Sequence, residues 1–308
     1  MVIVGAGLTG CVLARLFAEN GKDVVLIEKE SFPGGLCADR FRNHPVSFFG
    51  PHIFHTNDEK VFSFIKQFTD IKEYRHRVYV KYGEFFFIFP GYDRVLRKWV
   101  IRNYSLKMWK DYYPEIVKSV SARVDRDSDE YFPDKHQFLP VEGYTRMCER
   151  MISHKKITVY YKREVELKDL DTRPVFYTGA LDKLFSFKLG KLPYFGMAFM
   201  EIQHNNYGKA VINYPEQNIP YIRSTNYGKL YTGRSCEVTT VEIPICIPSR
   251  PMYPVLTKKN IGLGERYCHL AVENGIIPVG RIARYVYLDM DDVVKEAFDI
   301  FSGYSGRS

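Results

Sequence analysis

The chain opens with Met1-Val2-Ile3-Val4-Gly5-Ala6-Gly7-Leu8-Thr9-Gly10, an apolar run that breaks into a glycine-rich turn. An apolar segment with helical character follows over residues 11–18, and a second apolar run, residues 24–27, ends at Glu28. Strand, glycine turn, helix, strand and acidic residue follow one another in the order and spacing of a dinucleotide-binding βαβ unit. The stretch therefore predicts a Rossmann-like domain at this end of the chain.

Each position in the glycine turn has a physical task. Gly5 permits the tight turn, Gly7 lets the backbone approach a pyrophosphate, and Gly10 lets the helix and the strand pack closely. Leu8 and Thr9 open the helix, whose free N–H groups and partial positive charge favour phosphate. We therefore expect all five residues to contribute to a cofactor site.

The acidic residue and a second glycine pair indicate which dinucleotide binds. Glu28 lies 18 residues after Gly10, where its carboxylate can accept hydrogen bonds from a ribose diol, and Lys29 follows it. Beyond them the chain reads Gly34-Gly35-Leu36. A Gly-Gly pair in this place is common in FAD-binding oxidoreductase-like folds and lets the chain pass close to the cofactor. We therefore expect FAD in preference to NAD, with Gly35 and Leu36 among its contacts.

Composition limits the classes of partner. The 308 residues carry a formal net charge of +8, but the lysines and arginines are scattered, so we expect no nucleic-acid partner. An anionic small substrate explains the charge equally well, because arginines directed at phosphates raise the local substrate concentration. The most apolar patch, residues 85–89, is far shorter than the ~20 residues that span a bilayer, so we expect no membrane partner.

Cysteine spacing and the position of the cofactor motif bear on compartment. The six cysteines show neither CxxC pairs nor metal-ligand spacing, which predicts reduced thiols and no metal site. The cofactor motif begins at Met1, a position that a signal peptide would otherwise occupy. We therefore expect a cytoplasmic protein.

Neither composition nor periodicity explains the string at residues 49–57, Phe-Gly-Pro-His-Ile-Phe-His-Thr-Asn. It is similar to the GPHIFHTN signature of the UDP-galactopyranose mutases. Further segments follow in the family's order and resemble GYTxKxW (103–109), PVGGYT (140–145), YTGPID (177–182), AVINF (210–214), VPYTR (219–223), YYPV (252–255) and GRLAEYxYYDM (280–290). The chain thus resembles this family from end to end.

The insert in the middle of the chain departs from the family pattern. Family members carry several tens of helical residues where only residues 91–103 remain here. In the bacterial enzymes this subdomain builds the dimer interface. We therefore expect a monomer, or a dimer unlike that of the bacterial relatives.

The link after Trp109 is shorter as well. In the simplest alignment, Ser119 takes the place of the arginine that the family's mobile lid carries to the substrate diphosphate. Lys118 and Arg123 are the candidate substitutes, and the sequence does not decide between them.

The pattern and the resemblance together imply an α/β fold: an FAD-binding Rossmann-like domain with a small helical insert and an antiparallel β-sheet domain. We expect residues 1–76, 133–186 and 272–308 to form a discontinuous FAD-binding domain. Residues 77–132 would form the reduced helical substrate and lid domain, and residues 187–271 the antiparallel sheet domain. The sheet is predicted by alternation of period two at residues 195–202 and 238–243.

The reaction implied by the resemblance is the reversible conversion of UDP-galactopyranose to UDP-galactofuranose. N5 of reduced FAD attacks the anomeric carbon and displaces UDP, and the sugar recloses through another hydroxyl without net redox. NAD(P)H or another reductant is needed only to prime the flavin. The cofactor is the nucleophile, which agrees with a sequence that lacks a Ser-His-Asp order and paired catalytic carboxylates.

The resemblance also implies which residues bind the nucleotide sugar. Arg223 is the first candidate for the diphosphate, because a guanidinium forms bidentate, always-charged hydrogen bonds to phosphate oxygens. Hydroxyls for the phosphates are expected from Tyr131, Tyr253 and Tyr287, and aromatic contacts on the uracil and sugar side from Tyr104 and Trp109. Packing in the core is the competing interpretation for each aromatic residue.

A second implied set surrounds the flavin. His52 and His55 flank it, and a protonated histidine there would stabilise an anionic reduced flavin. Asp289 is placed near the sugar, although it is also positioned to cap a helix beginning near Met290. The remaining expected cofactor contacts are Ile53, Gly179, Gly280, Arg281, Asp289 and Met290. Of the whole set, His52, His55, Arg223, Tyr287 and Asp289 are the expected catalytic residues.

Other functions remain open on the sequence alone. The changed lid is compatible with a mutase for another nucleotide sugar, such as UDP-N-acetylgalactosamine. A flavin oxidoreductase of the amine-oxidase-like type would consume reductant or oxygen in proportion to substrate, whereas a mutase would not. The large deletion is also compatible with a non-catalytic flavoprotein that binds FAD or a nucleotide sugar.

Overall fold

The computed structural model describes residues 1–113, 115–116, 126–170, 174–246 and 248–305. Its strands, in chain order, are β1 (Val2–Val4), β2 (Val24–Ile27), β3 (Asp39–Phe41), β4 (Pro45–Ser47), β5 (Phe54–Thr56), β6 (Ile71–Glu73), β7 (Val78–Tyr82), β8 (Phe85–Phe89), β9 (His136–Pro140), β10 (Ile157–Tyr160), β11 (Val175–Tyr177), β12 (Tyr194–Gln203), β13 (Val211–Asn213), β14 (Arg223–Thr225), β15 (Val238–Ile245), β16 (Tyr253–Pro254) and β17 (Ile276–Pro278). Its helices are α1 (Leu8–Glu19), α2 (Glu59–Ile65), α3 (Arg94–Trp109), α4 (Gly143–Ile152), α5 (Leu181–Leu184), α6 (Tyr227–Thr232), α7 (Lys258–Glu273), α8 (Gly280–Ala283) and α9 (Met290–Ser305).

A parallel sheet carries the predicted dinucleotide-binding unit. Its strands lie in the order β10-β2-β1-β11-β17, and every neighbouring pair is parallel. Because β1 is the central strand, the glycine turn that follows it opens at the middle of the sheet's carboxyl edge, where ligands of such sheets bind. The predicted βαβ unit is confirmed.

Helix α1 lies between this sheet and the surrounding helices. Gly10 makes close packing possible, since a Cβ on it would stand 1.9 Å from the carbonyl oxygen of Gly5. Farther along the helix, Phe17 packs edge-on against Phe301 and Tyr304 of α9, with ring centroids 5.4 and 5.8 Å away. These contacts form the main core and hold the glycine turn in place.

The second large sheet has seven strands in the order β16-β12-β15-β14-β13-β7-β8. Its longest ladder pairs β12 with β15 over eight residue pairs, from Gly196–Ile245 to Gln203–Val238, as alternation of period two predicts. The sheet is antiparallel except where β13 runs parallel to β7. The predicted α/β fold class is confirmed, with this one parallel pair as a difference.

Two elements pack with parts of the chain outside the domain in which the sequence placed them. The hairpin of β7 and β8 falls within the expected insert, residues 77–132, but it extends the seven-stranded sheet through β13. Helix α7 falls within the expected sheet domain, residues 187–271, but it packs beside α5 and β17 in a core shared with the parallel sheet. The division into three domains remains a prediction.

Helix α3 is the long helix of the expected insert. It begins where Asp93 accepts the N–H groups of Val95 and Leu96, each at 2.9 Å, which caps the helix. Its carboxyl end is buried: Met108 and Trp109 share a core with Phe195. None of the helices in the described residues is both long and apolar enough to cross a bilayer.

Candidate active site

One large cavity, about 1510 Å³ in volume, lies between the two sheets. It runs from the glycine turn after β1 to Arg223 on β14 and Tyr104 on α3. Every residue expected in the cofactor and substrate sites lines it, with the single exception of Gly10, which packs α1 against the turn instead. Residues far apart in the sequence therefore meet in one space.

The glycine turns form one end of this cavity. Gly5 has a φ of +99°, which an L side chain rarely adopts, and an added Cβ would overlap Thr178. Gly7 and Gly35 bring their two turns into contact, since a Cβ on Gly35 would lie 2.9 Å from Gly7 Cα. The backbone is thus exposed to a ligand along two adjacent turns.

Glu28 is fixed beside these turns. It is 6% exposed, and its carboxylate accepts the N–H of Ala6 at 2.6 Å and the N–H of Glu30 at 2.9 Å. Each oxygen keeps a further lone pair that a ribose hydroxyl can use. This arrangement agrees with the expected role in holding a ribose.

These features fit a flavin adenine dinucleotide. The cavity is long enough to continue from the glycine turns past His52 to Arg223, so it has room for a substrate beyond the cofactor. His52 Nδ1 is buried and has no hydrogen-bond partner within the described residues, which leaves a polar atom for a ligand to satisfy. Gly5, Gly7, Gly35 and Glu28 would hold the pyrophosphate and ribose.

The two expected flavin histidines differ in environment. His55 Nδ1 lies 2.9 Å from Asp134 Oδ2, and its ring stacks on Phe132 with centroids 3.8 Å apart. Burial, helped by the positive charges of Arg281 and Arg223, lowers the pKa of His52 to about 4. The lowered pKa favours a neutral His52 near pH 7, and stabilisation of a reduced flavin by a protonated histidine stays a prediction.

Arg281 supplies a cation nearby. Its guanidinium carbon lies 5.4 Å from the ring centroid of Tyr253 and 5.9 Å from that of Tyr287. Such distances allow a cation–π contact with each ring. The Tyr287 hydroxyl donates to Asp289 Oδ1 at 3.2 Å, which joins two expected site residues directly.

Asp289 lies both at the start of a helix and in the cavity wall. It precedes Met290, the first residue of α9, and its backbone carbonyl accepts the N–H of Val293 at 3.2 Å. Its N–H donates to Asp292 Oδ2 at 3.1 Å, so the residue is part of the helix start. It also lines the cavity together with Met290, and its contact with the sugar or the cofactor stays a prediction.

Arg223 is the centre of a hydrogen-bond network at the other end of the cavity. Nε donates to Asn213 Oδ1 at 3.2 Å, and Nη2 donates to the Tyr104 hydroxyl at 3.0 Å. Nη1 lies 3.4 Å from Oε2 of Glu242. Its three nitrogens are thus oriented by β13, α3 and β15, the elements that carry these partners.

Glu242 is the most unusual member of this network. Its side chain is 2% exposed, and Oε1 has no hydrogen-bond partner among the residues described. Burial raises the pKa of the carboxyl group, while the charge of Arg223 opposes that rise. Glu242 does not line the cavity itself and acts on it through its contact with Arg223.

The aromatic residues expected to bind substrate surround this network. Burial raises the pKa of Tyr104 and of Tyr253, so both keep their hydroxyl protons at neutral pH and can donate them. Tyr131 packs edge-on against Phe132 with centroids 5.0 Å apart. Trp109 packs edge-on against Phe195 at 5.4 Å, so it belongs to the core as well as to the cavity wall.

Four residues of the site were not found from the sequence. Tertiary packing brings in Asn213 and His76, which line the cavity. It also brings in Glu242 and Asp134, which contact the lining residues Arg223 and His55. The motif AVINF contains Asn213, and that segment was the one available signal. His76 lines the cavity, its Nδ1 has no partner in the described part of the chain, and burial lowers its pKa to about 3.

The expected lid residues Lys118, Ser119 and Arg123 lie outside the described residues. Among the residues that the structure does describe, no group of three or more His, Cys, Asp or Glu side chains is arranged to hold a metal ion.

A parallel sheet with a glycine cradle, continuous with a cavity walled by tyrosines and an ordered arginine, defines a dinucleotide-dependent enzyme of the Rossmann-like α/β class. A family model described as UDP-galactopyranose mutase matches residues 99–287, and one described as NAD(P)-binding Rossmann-like domain matches residues 3–68. The first match covers more than half of the chain. The chain therefore belongs to the UDP-galactopyranose mutase family, whose members are flavin-dependent isomerases.

Individual relatives agree with this assignment. The chain is 29% identical over 355 residues to a probable UDP-galactopyranose mutase of Klebsiella pneumoniae, covering 96% of this chain and 92% of the relative. It is 26% identical over 376 residues to a dTDP-fucopyranose mutase of Escherichia coli, covering 97% and 96%.

Solved structures confirm the fold. The crystal structure of a reduced UDP-galactopyranose mutase matches with a TM-score of 0.71 at 14% identity, over 100% of this chain and 95% of the other. A putative protoporphyrinogen oxidase from Exiguobacterium matches with a TM-score of 0.68 at 11% identity, over 100% and 98%.

Proposed function

We propose that this chain interconverts UDP-galactopyranose and UDP-galactofuranose in a reaction that requires reduced FAD and has no net redox. The observation that carries the proposal is the position of Arg223. It lies in the same cavity as the glycine cradle, oriented by Asn213, Tyr104 and Glu242. A fixed guanidinium at this place can hold a diphosphate while a sugar reacts next to a flavin.

Bound FAD would supply the nucleophile for the anomeric carbon once NAD(P)H or another reductant has reduced it. The protein's own part is to hold the diphosphate where it can leave and return. Arg223 stabilises the charge that develops on the leaving phosphate, and the hydroxyls of Tyr131, Tyr253 and Tyr287 assist it. Tyr104 and Trp109 would contact the uracil and the sugar.

The flavin end is served by a different set of residues. Gly5, Gly7, Leu8, Thr9 and Gly35 would contact the pyrophosphate, with Gly10 supporting the turn. The other expected cofactor contacts are Glu28, Lys29, Leu36, His52, Ile53, Gly179, Gly280, Arg281, Asp289 and Met290, and His55 completes the flavin's surroundings. A neutral His52 would act as a hydrogen-bond partner, and Arg281 would supply the positive charge near the flavin.

A second candidate substrate is a different nucleotide sugar. The dTDP-fucopyranose mutase of Escherichia coli is nearly as similar to this chain as the UDP-galactopyranose mutases are. UDP-N-acetylgalactosamine remains a further alternative, because the lid is changed at Ser119. In each case the flavin chemistry would be the same and only the sugar or base contacts would differ.

A substrate panel tests the assignment. The FAD-loaded protein, reduced with dithionite, is given UDP-galactofuranose, dTDP-fucofuranose or the furanose form of UDP-N-acetylgalactosamine, and products are resolved by chromatography. We expect the highest kcat/KM with UDP-galactofuranose. A higher kcat/KM with another nucleotide sugar would make that sugar the assigned substrate in place of UDP-galactofuranose. Binding of FAD without turnover of any sugar would favour a non-catalytic flavoprotein.

Three further proposals accompany this function. The protein acts in the cytoplasm, it works without a nucleic-acid or membrane partner, and it is a monomer or a dimer unlike that of the bacterial enzymes. Light scattering of the purified protein checks the last of these, and the bacterial type of dimer would contradict it.

A further inference from the structure

Lys107 on α3 makes an unusual set of contacts. The residue is 8% exposed, and its ammonium Nζ donates to the backbone carbonyl oxygens of Tyr214, Glu216 and Tyr221, each at 2.8 Å. An ammonium group has three N–H donors, so all three are used by one loop. Burying a charge this deeply is costly unless it is fully hydrogen-bonded, as it is here.

The loop that Lys107 holds leads directly to Arg223. It runs over residues 214–222 and is closed by the N–H of Tyr214, which donates to the carbonyl of Ile222 at 2.9 Å. Arg223 follows as the first residue of β14. Any shift of this loop therefore moves the guanidinium.

Helix α3 also carries a partner of that guanidinium. Tyr104 lies three residues before Lys107, on the same face of the helix, and its hydroxyl accepts from Arg223 Nη2 at 3.0 Å. The helix thus contacts the arginine twice, directly through Tyr104 and indirectly through the loop that Lys107 binds.

We propose that Lys107 is a positioning residue, which ties the loop of residues 214–222 to α3 and so sets the place of Arg223 for the diphosphate of the nucleotide sugar. The inference rests on the proposed function, since it takes Arg223 to bind a diphosphate. Lys107 itself does not touch the substrate.

The chemistry of the side chain suits this task. Three carbonyl oxygens point at one position, which suits a compact ammonium group whose single nitrogen carries three N–H donors. Arginine would not suit it, because its N–H groups lie in one plane and are spread over three nitrogens. Burial lowers the pKa of Lys107 to about 8, with the carboxylate of Glu216 opposing the shift. The ammonium therefore predominates at pH 7, where all three bonds form.

The decisive experiment is a double-mutant cycle on UDP binding by the FAD-loaded protein. The variants are Lys107→Met, Arg223→Ala and the double variant, with Lys98→Met as the control because Lys98 is an exposed lysine on the same helix. We expect Lys107→Met to weaken UDP binding at least about tenfold and to lower kcat/KM roughly a hundredfold through misplacement of the reacting groups. Lys98→Met should change neither.

The cycle separates a positioning role from a merely structural one. If Lys107 acts through Arg223, then Lys107→Met should change UDP affinity by less than about twofold in the Arg223→Ala background. Equal losses in both backgrounds would overturn the inference, as would a Lys107→Met variant with normal UDP affinity. A wild-type protein that turns over no nucleotide sugar and does not bind UDP would instead overturn the proposed function, and this inference with it.

Rescue with a small amine covers the case in which Lys107→Met folds poorly. Lys107→Ala removes the atoms of one propylammonium ion, so added propylammonium should restore UDP affinity, whereas 1-propanol, which is similar in size but neutral, should not. Restoration by both, or by neither while the variant retains FAD and its thermal transition, would contradict the proposal.

Discussion

Arg223 has its three nitrogens directed to different partners, and only one of these is a carboxylate. Glu242 offsets the charge of the guanidinium without enclosing it, since the arginine side chain remains 23% exposed towards the cavity. The guanidinium of Arg223 is thus oriented before the ligand arrives, which reduces the entropy lost when a diphosphate binds. The site therefore favours an anionic substrate at this point.

Replacement of Arg223 tests that role. Arg223→Ala should lower kcat/KM by roughly 10²- to 10³-fold, because a buried charge-assisted contact to the leaving group is lost. Arg223→Lys should fall between this variant and the wild type, since it keeps the charge but not the three directed donors. Steady-state assays measure both, with the exposed Arg266→Ala as the control. Near-normal kcat/KM in Arg223→Ala would remove the residue from the mechanism.

The buried histidines predict a pH dependence of stability. Burial lowers the pKa of His52 to about 4 and that of His76 to about 3, whereas in the unfolded chain both lie near 6.5, the ordinary pKa of histidine. Below pH 6.5 the unfolded state binds more protons than the folded state, so the free energy of unfolding falls as pH drops from about 6.5 towards 4. His52 alone contributes roughly 3 kcal/mol to this loss.

Urea denaturation between pH 7 and pH 4 measures this effect. His52→Gln and His76→Gln should each flatten the decline, whereas substitution of the exposed His269 by Gln should leave it unchanged. An unaltered pH profile in both variants would show that the pKa of neither histidine is lowered by folding.

At the scale of elements, the contact between α1 and the glycine turn decides whether the cofactor cradle forms. Gly10→Ala would place a Cβ 1.9 Å from the Gly5 carbonyl oxygen, and backbone on both sides leaves little room for adjustment. We expect a loss of about 1–3 kcal/mol in the free energy of unfolding, as overpacking typically causes, and a loss of bound FAD. Chemical denaturation and flavin absorbance report the two effects.

Gly262 provides the matched control. It lies inside α7, and a Cβ there would meet nothing within 4 Å. Gly262→Ala should therefore raise the free energy of unfolding by up to about 1 kcal/mol through helix propensity, with FAD content unchanged. Equal behaviour of the two variants would show that Gly10 has no packing role.

The sequence predicted elements whose signal is local. The βαβ unit could be recognised because its glycines, apolar runs and Glu28 lie within 28 residues, and β12 and β15 show clear alternation. The place of the β7–β8 hairpin in the sheet could not be recognised, because its partner β13 lies more than 120 residues later. Helix α7 was missed within the sheet range, where two glycines, Gly262 and Gly264, weaken its helical pattern.

The same distinction applies to the candidate site. Motif residues such as His52 and Tyr253 were found from the resemblance, and the cavity brings them together. Asp134 pairs with His55 across 79 residues, and Glu242 with Arg223 across 19, and no short pattern records either contact. The neutral state of His52 likewise follows from burial, which a linear motif does not contain.

For the whole molecule, the two sheets have separate tasks and a common cavity. The parallel sheet presents the glycine cradle and Glu28, and the seven-stranded sheet presents Arg223 with Asn213 and Glu242. A cofactor held by the first and a diphosphate held by the second would bring the sugar between them. The proposed reaction therefore requires a flavin and a nucleotide sugar to be bound together.

Turnover of UDP-galactofuranose by the purified, FAD-loaded protein, with and without dithionite, is the most direct test of that claim. Chromatography of the products should show UDP-galactopyranose only when the flavin is reduced, with dithionite needed to prime the enzyme and not consumed with each turnover. Absence of conversion in the reduced, FAD-bound protein, or consumption of reductant in proportion to product, would contradict the assignment as a UDP-galactopyranose mutase.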